Sequence, residues 1–249
     1  MKKLKKNVVN LVYNILIVMS VIGFITTLFY ILNENEKYRI ADKNYEDVRA
    51  LKVIPSQSEY NEKSLIDFES LYKINPDTVG WIGSEGLEID YPIVQTKDNE
   101  FYLNHLFSLE KNKLGAIFMD YRNDSKLLDR NTIIYGHNMK NGSMFSSLTN
   151  YKKQDYYEMN PNILIVTEET KYRVDFFAGV IVDGNYESVR LDFNNDDDFI
   201  QYIDSLYDLS TFKSTTIVGV EDKIISLVTC SYEFNNARYA LYGKLVEIP

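Results

Sequence analysis

The stretch Lys223-Ile-Ile-Ser-Leu-Val-Thr-Cys230-Ser-Tyr-Glu-Phe-Asn-Asn-Ala-Arg238 opens on an apolar, β-branched run, Ile224 to Val228, that reads as a largely buried strand. The run leads into the only cysteine of the chain, and Arg238, the only arginine after it, precedes a second strand-like run, Tyr239 to Val246. A lone thiol at the mouth of a strand with a fixed positive charge nearby is one way to build a nucleophile. A buried structural cysteine beside a surface arginine has the same appearance, and the segment alone favours that plainer reading. The rest of the chain has to supply a base, a compartment and a context.

Working outward, the texture of the strand run repeats from Thr78 onward. Short β-like runs fall at Val79–Ile82, Ile89–Val94, Ala116–Met119, Thr132–Tyr135, Ile163–Val166, Tyr172–Val182, Ile217–Val220, Ile224–Thr229 and Tyr239–Val246. Many short strands separated by turn residues predict a closed barrel or a sandwich. One helix interrupts them within residues 193–206, where Phe199, Ile200, Ile203 and Leu206 follow helical spacing and acids gather at the start. The acids from Asp192 to Asp198 do not form a calcium loop. Asp197 stands where the turn glycine belongs and Ile203 where the bidentate glutamate belongs, so helix-start chemistry accounts for them.

Residues 7–32 carry no Asp, Glu, Lys or Arg, and Lys2, Lys3, Lys5 and Lys6 precede them. At about 1.5 Å per residue the stretch is long enough to cross a hydrocarbon core of about 30 Å, and the lysines place the N-terminus in the cytoplasm. A cleavable signal peptide would have a shorter apolar region and a small-residue cleavage site. The run instead exits through Phe29-Tyr-Ile-Leu-Asn33, which predicts an uncleaved signal anchor with everything after about Asn33 outside the cell. Residues 33–75 read as a polar, helical, extracellular spacer, with Ser64-Leu-Ile-Asp67 as a capping-box variant before Phe68 and with Asn75-Pro76 as its end.

The formal net charge is −9 although those four lysines are counted in it, so the body is more acidic still. An acidic body argues against nucleic acid as a partner, because phosphate binding rests on clustered Lys and Arg. A single cysteine forms no internal disulfide, and an extracellular domain then depends on a proper core.

The chain has two histidines. His105 lies in the aromatic and apolar segment Tyr102-Leu-Asn-His-Leu-Phe107 and reads as a packed or surface residue. His137 follows the strand Asn131-Thr-Ile-Ile-Tyr135 and Gly136 and precedes a polar loop, Asn138 to Gly142. A rigid strand end suits a catalytic imidazole, and a plain loop histidine is the alternative. Two histidines and one cysteine make a poor zinc site, and no G-x-S-x-G elbow anchors a serine triad. Cysteine with histidine remains, since an imidazole or cationic neighbour promotes the thiolate that attacks carbonyls. Arg238 keeps its proton and cannot be the base, but can hold a carbonyl or an oxyanion.

These segments together resemble one family. Asn131-Thr-Ile-Ile-Tyr-Gly-His137 resembles the histidine strand of sortases, and Ser226-Leu-Val-Thr-Cys230 resembles their T-L-x-T-C strand, with Arg238 in the next strand. Ile89-Asp-Tyr-Pro-Ile-Val-Gln95, Asn99 ahead of Tyr102-Leu-Asn104, Ile117-Phe-Met-Asp-Tyr-Arg-Asn123 and the helix-bearing connection near 193–206 look like class B sortases in particular. Two positions depart from the motif: Ser226 replaces its first threonine, and Val228 stands where a class B serine often helps hold the peptide.

The resemblance implies a mostly β fold with added helices, a sortase-type closed β-barrel with N-terminal helices and a helix in the loop before the cysteine strand. It also implies a cysteine transpeptidase that cleaves a C-terminal sorting signal after Thr through a thioester and joins the protein to a peptidoglycan amine. Cys230, His137 and Arg238 would be the catalytic residues, and Asn99, Thr229 and Tyr186 would bind substrate. The chemistry needs no metal and no organic cofactor. Its partners are secreted proteins bearing the signal, and peptidoglycan or its lipid-linked precursor as the acceptor. The chain then divides into a cytoplasmic tail (1–6), a transmembrane anchor (7–32), the spacer (33–75) and the catalytic domain (76–249). A pilin-polymerising sortase and an inactive, membrane-tethered binding module of the same fold are the alternatives. A papain-like hydrolase is disfavoured because its cysteine precedes its histidine.

Overall fold

One helix, α1 (Lys2–Arg49), carries the chain through the whole apolar stretch without a break. The structure is a computed structural model that describes residues 2–52, 66–84, 86–184 and 189–249, with side chains from residue 10 onward. It divides into two units, Met1–Lys43 and Asn44–Pro249. In the first unit the apolar side chains from Leu11 to Leu32 are exposed all round the helix. Among the described residues this is the one helix long and apolar enough to cross a membrane. A helix hydrophobic on every side suits lipid rather than water.

The second unit is built on eight strands: β1 (Thr78–Gly83), β2 (Asp90–Val94), β3 (Ile117–Met119), β4 (Asn131–Tyr135), β5 (Asn162–Val166), β6 (Lys171–Asp183), β7 (Ile224–Cys230) and β8 (Ala237–Ile248). They close into a barrel in the order β1-β2-β3-β4-β7-β8-β6-β5, with β5 pairing back onto β1. Closure leaves no open sheet edge to pair with other chains. The β2–β3 and β4–β7 pairs are parallel, and the other pairs are antiparallel.

The β4–β7 pair explains the apolar run around Ile224. All of β7 but its last residue is buried because the barrel fills one face and a helix, α4 (Asp196–Leu209), covers the other. Phe199, Ile203 and Leu206 of α4 share a cluster with Ile133, Phe177, Val180, Ile224, Val228 and Tyr242. A strand buried on both faces is continuously apolar rather than alternating. Of its two hydroxyl residues, Ser226 donates through Oγ to Asn131 Oδ1 at 2.8 Å, which satisfies that buried group.

The acids at the start of α4 act as expected at a helix start, with Asn195 Oδ1 capping the Asp198 N–H at 2.9 Å. Arg190 grips Asp198 through both guanidinium nitrogens, at 2.8 and 2.7 Å, and Arg130 pairs with Asp196.

Two expectations are corrected. The run Ile217–Val220 is not a strand. Ile217 is 80% exposed and only Val218 turns inward. Side chains serve its backbone in place of a ladder: Val218 N–H donates to Tyr207 Oη, Gly219 N–H to Asp222 Oδ2, and Lys244 Nζ donates to the Ile217 carbonyl. The cap of the short helix α2 (Phe68–Ile74) is Asp67 itself, which accepts from the Ser70 N–H at 3.0 Å, and Ser64 lies outside the described residues. Three short helical pieces are unmarked in the sequence pattern, 3₁₀ segments at Phe101–Leu103 and Ser146–Lys152 and α3 (Gln154–Met159).

The last turns of α1 that belong to the second unit pack on the barrel. Tyr45 and Val48 are buried, the Tyr45 hydroxyl donates to the Gly115 carbonyl at 2.8 Å, and Arg49 Nε donates to the Asp90 carbonyl at 3.0 Å.

Candidate active site

Strand direction assembles the site. β4 and β7 run parallel with Tyr135 opposite Val228, so the residues that follow each strand emerge at the same rim. β8 starts at that rim because it pairs antiparallel to β7, with Arg238 directly across from Cys230. Cys230, His137 and Arg238, 101 positions apart in the chain at the extreme, thus meet at one end of the barrel around a cavity of about 180 Å³ that all three line.

His137 is held from several sides. The Gly136 N–H continues the ladder to the Val228 carbonyl at 3.1 Å, and the His137 carbonyl accepts from the Phe145 N–H at 2.9 Å. A Cβ on Gly136 would come within 2.5 Å of the Ile117 side chain and 2.7 Å of the Phe145 ring, so any larger residue there would have to push that ring aside. Asn138 Nδ2 donates to the Cys230 carbonyl at 2.8 Å and ties the histidine loop to the cysteine strand. On the ring, Nε2 lies 2.7 Å from the Leu103 carbonyl. A carbonyl only accepts, so Nε2 carries a proton, and Nδ1 is the nitrogen left to deal with another group.

The Cys230 thiol and the His137 imidazole lie close enough for a hydrogen bond between them to act on the titration of each. That bond is the largest influence on each. It lowers the thiol below the ordinary cysteine range, with burial opposing and the Arg238 charge helping. It raises the imidazole above its ordinary value, with burial opposing and the Leu103 carbonyl helping. The two shifts move toward each other, which favours proton transfer from sulfur to nitrogen. Arg238 is half-buried and donates to the Ala237 carbonyl at 3.0 Å. Such a set can supply a thiolate, a proton donor and a fixed cation for a developing oxyanion.

Of the residues expected to bind substrate, Asn99 and Thr229 line the same cavity, and Tyr186 lies outside the described residues. Thr229 is 2% exposed and its Oγ1 has no hydrogen-bond partner among the described residues, a costly state for a buried hydroxyl unless something else meets it. Val228 lines the cavity as well and brings only methyl groups. His105 stands apart, its ring stacked on Phe101 with 4.0 Å between centroids. Among the described residues no group of three or more His, Cys, Asp or Glu side chains is placed to hold a metal ion.

Sequence reading did not single out Leu103 or Asn138. Leu103 acts through its carbonyl, which carries no residue-type signal. The adjacency of Asn138 to His137 was the one available hint.

A sortase-domain family model matches residues 82–246. The chain is 40% identical over 182 residues to sortase B of Listeria monocytogenes, covering 72% of this chain and 74% of that protein. It is 35% identical over 236 residues to sortase B of Staphylococcus aureus, covering 94% of each. The structure of a Staphylococcus aureus sortase B–substrate complex superposes with a TM-score of 0.75 at 33% identity, covering 88% of this chain and 100% of that one.

Proposed function

The chain belongs to the sortase family as a class B sortase, a cysteine transpeptidase, and on that premise we propose that Cys230, His137 and Arg238 carry out the transfer. The supporting observation is that Cys230, His137 and Arg238 line one cavity at the barrel rim, with Arg238 directly across the β7–β8 ladder from Cys230.

The Cys230 thiolate attacks the carbonyl carbon of the Thr–X bond in a C-terminal sorting signal. Charge gathers on the carbonyl oxygen, and the Arg238 guanidinium offsets it. His137, protonated on both nitrogens, gives the Nδ1 proton to the departing amine as the C–N bond breaks, and a thioester on Cys230 remains. An acceptor amine then attacks the thioester carbonyl. Neutral His137 takes its proton, the new amide forms, and the thiolate leaves. The Leu103 carbonyl keeps Nε2 protonated throughout, so the working proton always moves through Nδ1.

Asn99 and Thr229 contact the signal peptide, and Thr229 Oγ1 gains from it the partner it lacks. The acceptor is an amine of peptidoglycan or of its lipid-linked precursor. Residues 1–6 lie in the cytoplasm and residues 7–32 cross the membrane. Residues 33–75 lead outside the cell to the catalytic domain at 76–249, and within that leader Tyr45 and Val48 are buried against the barrel.

The test uses the full chain in detergent with quenched peptides of the N-P-x-T-x and S-P-x-T-x types. Wild type should cleave one class, form a thioester visible by mass spectrometry, and turn from hydrolysis to aminolysis when a diaminopimelate-type or glycine amine is added. Cys230→Ala should do none of this. Cleavage by Cys230→Ala at the wild-type rate would overturn the mechanism.

A further inference from the structure

Behind the cavity wall that carries Asn99 and Tyr135 lies a carboxylate the mechanism does not use. Asp120 follows β3, and its side chain is 0% exposed. Five donors converge on it. Oδ1 accepts from the Arg122 backbone N–H at 3.0 Å and from Arg122 Nε at 2.8 Å. Oδ2 accepts from Arg122 Nη2 at 2.7 Å, from the Tyr135 hydroxyl at 2.9 Å and from Asn99 Nδ2 at 3.0 Å. Burial pushes this carboxyl up, but Arg122 and the Tyr135 hydroxyl outweigh it and hold Asp120 below the usual carboxylate range. It is ionised at neutral pH.

An ionised carboxylate only accepts. Its neighbours are therefore fixed in hydrogen-bond sense as well as in place. The single proton of Tyr135 is committed to Asp120, so that hydroxyl can only accept from anything else it meets. The Asn99 amide is fixed at both ends, because Nδ2 faces Asp120 while Oδ1 accepts from the Tyr121 N–H at 3.0 Å. A flip would set oxygen against carboxylate and N–H against N–H. Nδ2 keeps one further N–H to give. Tyr135 and Asn99 both line the cavity beside Cys230, and Asp120 does not.

We propose that Asp120 is a positioning residue for substrate. Through its hydrogen bonds it makes the cavity wall an acceptor at Tyr135 and a donor at Asn99, the complement of the N–H and C=O of a peptide group. This rests on the reading that the cavity holds a signal peptide. Arg122 serves the same end by keeping the buried carboxylate charged, and the ion pair is retained for what it imposes on its neighbours rather than for stability.

The experiment measures cleavage of the quenched peptide by the full chain in detergent as wild type, Asp120→Asn, Tyr135→Phe and the double variant. In Asp120→Asn one carboxylate oxygen becomes an NH₂ that can no longer accept from both partners. KM should rise roughly tenfold with kcat nearly unchanged, the cost of one or two mispaired buried hydrogen bonds. Tyr135→Phe should also raise KM, and the double variant should show less than the product of the two effects. The pH profile of Cys230 alkylation by iodoacetamide should not move in Asp120→Asn. An unchanged KM, independent effects, or an alkylation profile that shifts would each overturn the inference. If Asp120→Asn does not fold, Tyr135→Phe decides alone, and an unaltered KM there overturns it. A wild type that cleaves no sorting peptide sinks the functional reading and this inference together. A wild type that cleaves beside an Asp120→Asn of unchanged KM sinks only the inference.

Discussion

The two histidines make the same hydrogen bond and do different things. His105 Nδ1 lies 2.7 Å from the Phe101 carbonyl, and His137 Nε2 lies 2.7 Å from the Leu103 carbonyl. Both carbonyls come from one 3₁₀ turn, Phe101–Leu103. Each bond fixes a tautomer, but at opposite nitrogens. His105 reaches back four residues within its own segment, and its ring lies parallel to Phe101 at 1°. His137 reaches 34 residues across the fold and turns its other face to a thiol. What separates them is the group that the second nitrogen meets, and that is decided by the parallel pairing of β4 with β7.

The sharpest way to break the contrast is to remove each ring. His137→Ala should lower kcat/KM for peptide cleavage by about 10³-fold or more, within the span that positioned acid–base groups contribute. His105→Ala should stay within about twofold, because its contacts are local and on the surface. A large loss in His105→Ala, or a small one in His137→Ala, would show that the assignment is reversed. Next comes Arg238→Met, which removes the cation and keeps the apolar stem. It should cost about 10²-fold, mostly in kcat, as loss of one oxyanion donor does. An effect confined to KM would make Arg238 a peptide-binding residue only.

The pairing also has a pH signature. Cys230 is lowered and His137 raised by their shared hydrogen bond, so the thiolate persists at a lower pH than in an isolated thiol of about 8.5. Iodoacetamide should inactivate wild type with a midpoint below that value. His137→Ala removes the hydrogen bond and leaves burial opposed only by Arg238, so its midpoint should move upward. A midpoint that does not move would mean that His137 leaves the thiol untouched in solution.

Much of this was legible in sequence for a physical reason. The β-branched run before Cys230 and the glycine before His137 are local signals, as are the acids opening α4. They hold because barrel closure, strand-end turns and helix dipoles act through nearest residues. Ile217–Val220 shows where local signals fail. Its composition suits a strand, yet Tyr207, Asp222 and Lys244 take its backbone groups from other elements. Asp120 is a second case. Its segment Ile117–Asn123 resembles class B sortases as a stretch of sequence. Only the fold shows that Arg122, Tyr135 and Asn99 converge on that one carboxylate.

The smallest effect tests whether the cysteine side of the pair is held as the histidine side is, by a distant residue. Lys152 Nζ donates to Ser231 Oγ at 2.8 Å and pairs with Glu233, while Ser231 Oγ donates to Glu233 Oε2 at 2.5 Å. This clasp pins the turn between β7 and β8 and therefore the spacing of Cys230 and Arg238. Burial raises the Glu233 carboxyl, but Lys152 and Ser231 outweigh it and hold it down to about 2. A lowered carboxylate contributes stability that is fully present above its unfolded value, about 4.3, and is lost as pH falls through its folded value. Glu233→Gln should therefore melt below wild type near neutral pH, with the gap closing between about pH 5 and pH 2. At pH 7 kcat/KM should fall about two- to fivefold, because a loosened turn misplaces a cation that still exists. A gap that widens on acidification would mean that Glu233 is not held by Lys152 in solution, and an unchanged kcat/KM would mean that β7 and β8 set the Cys230–Arg238 spacing unaided.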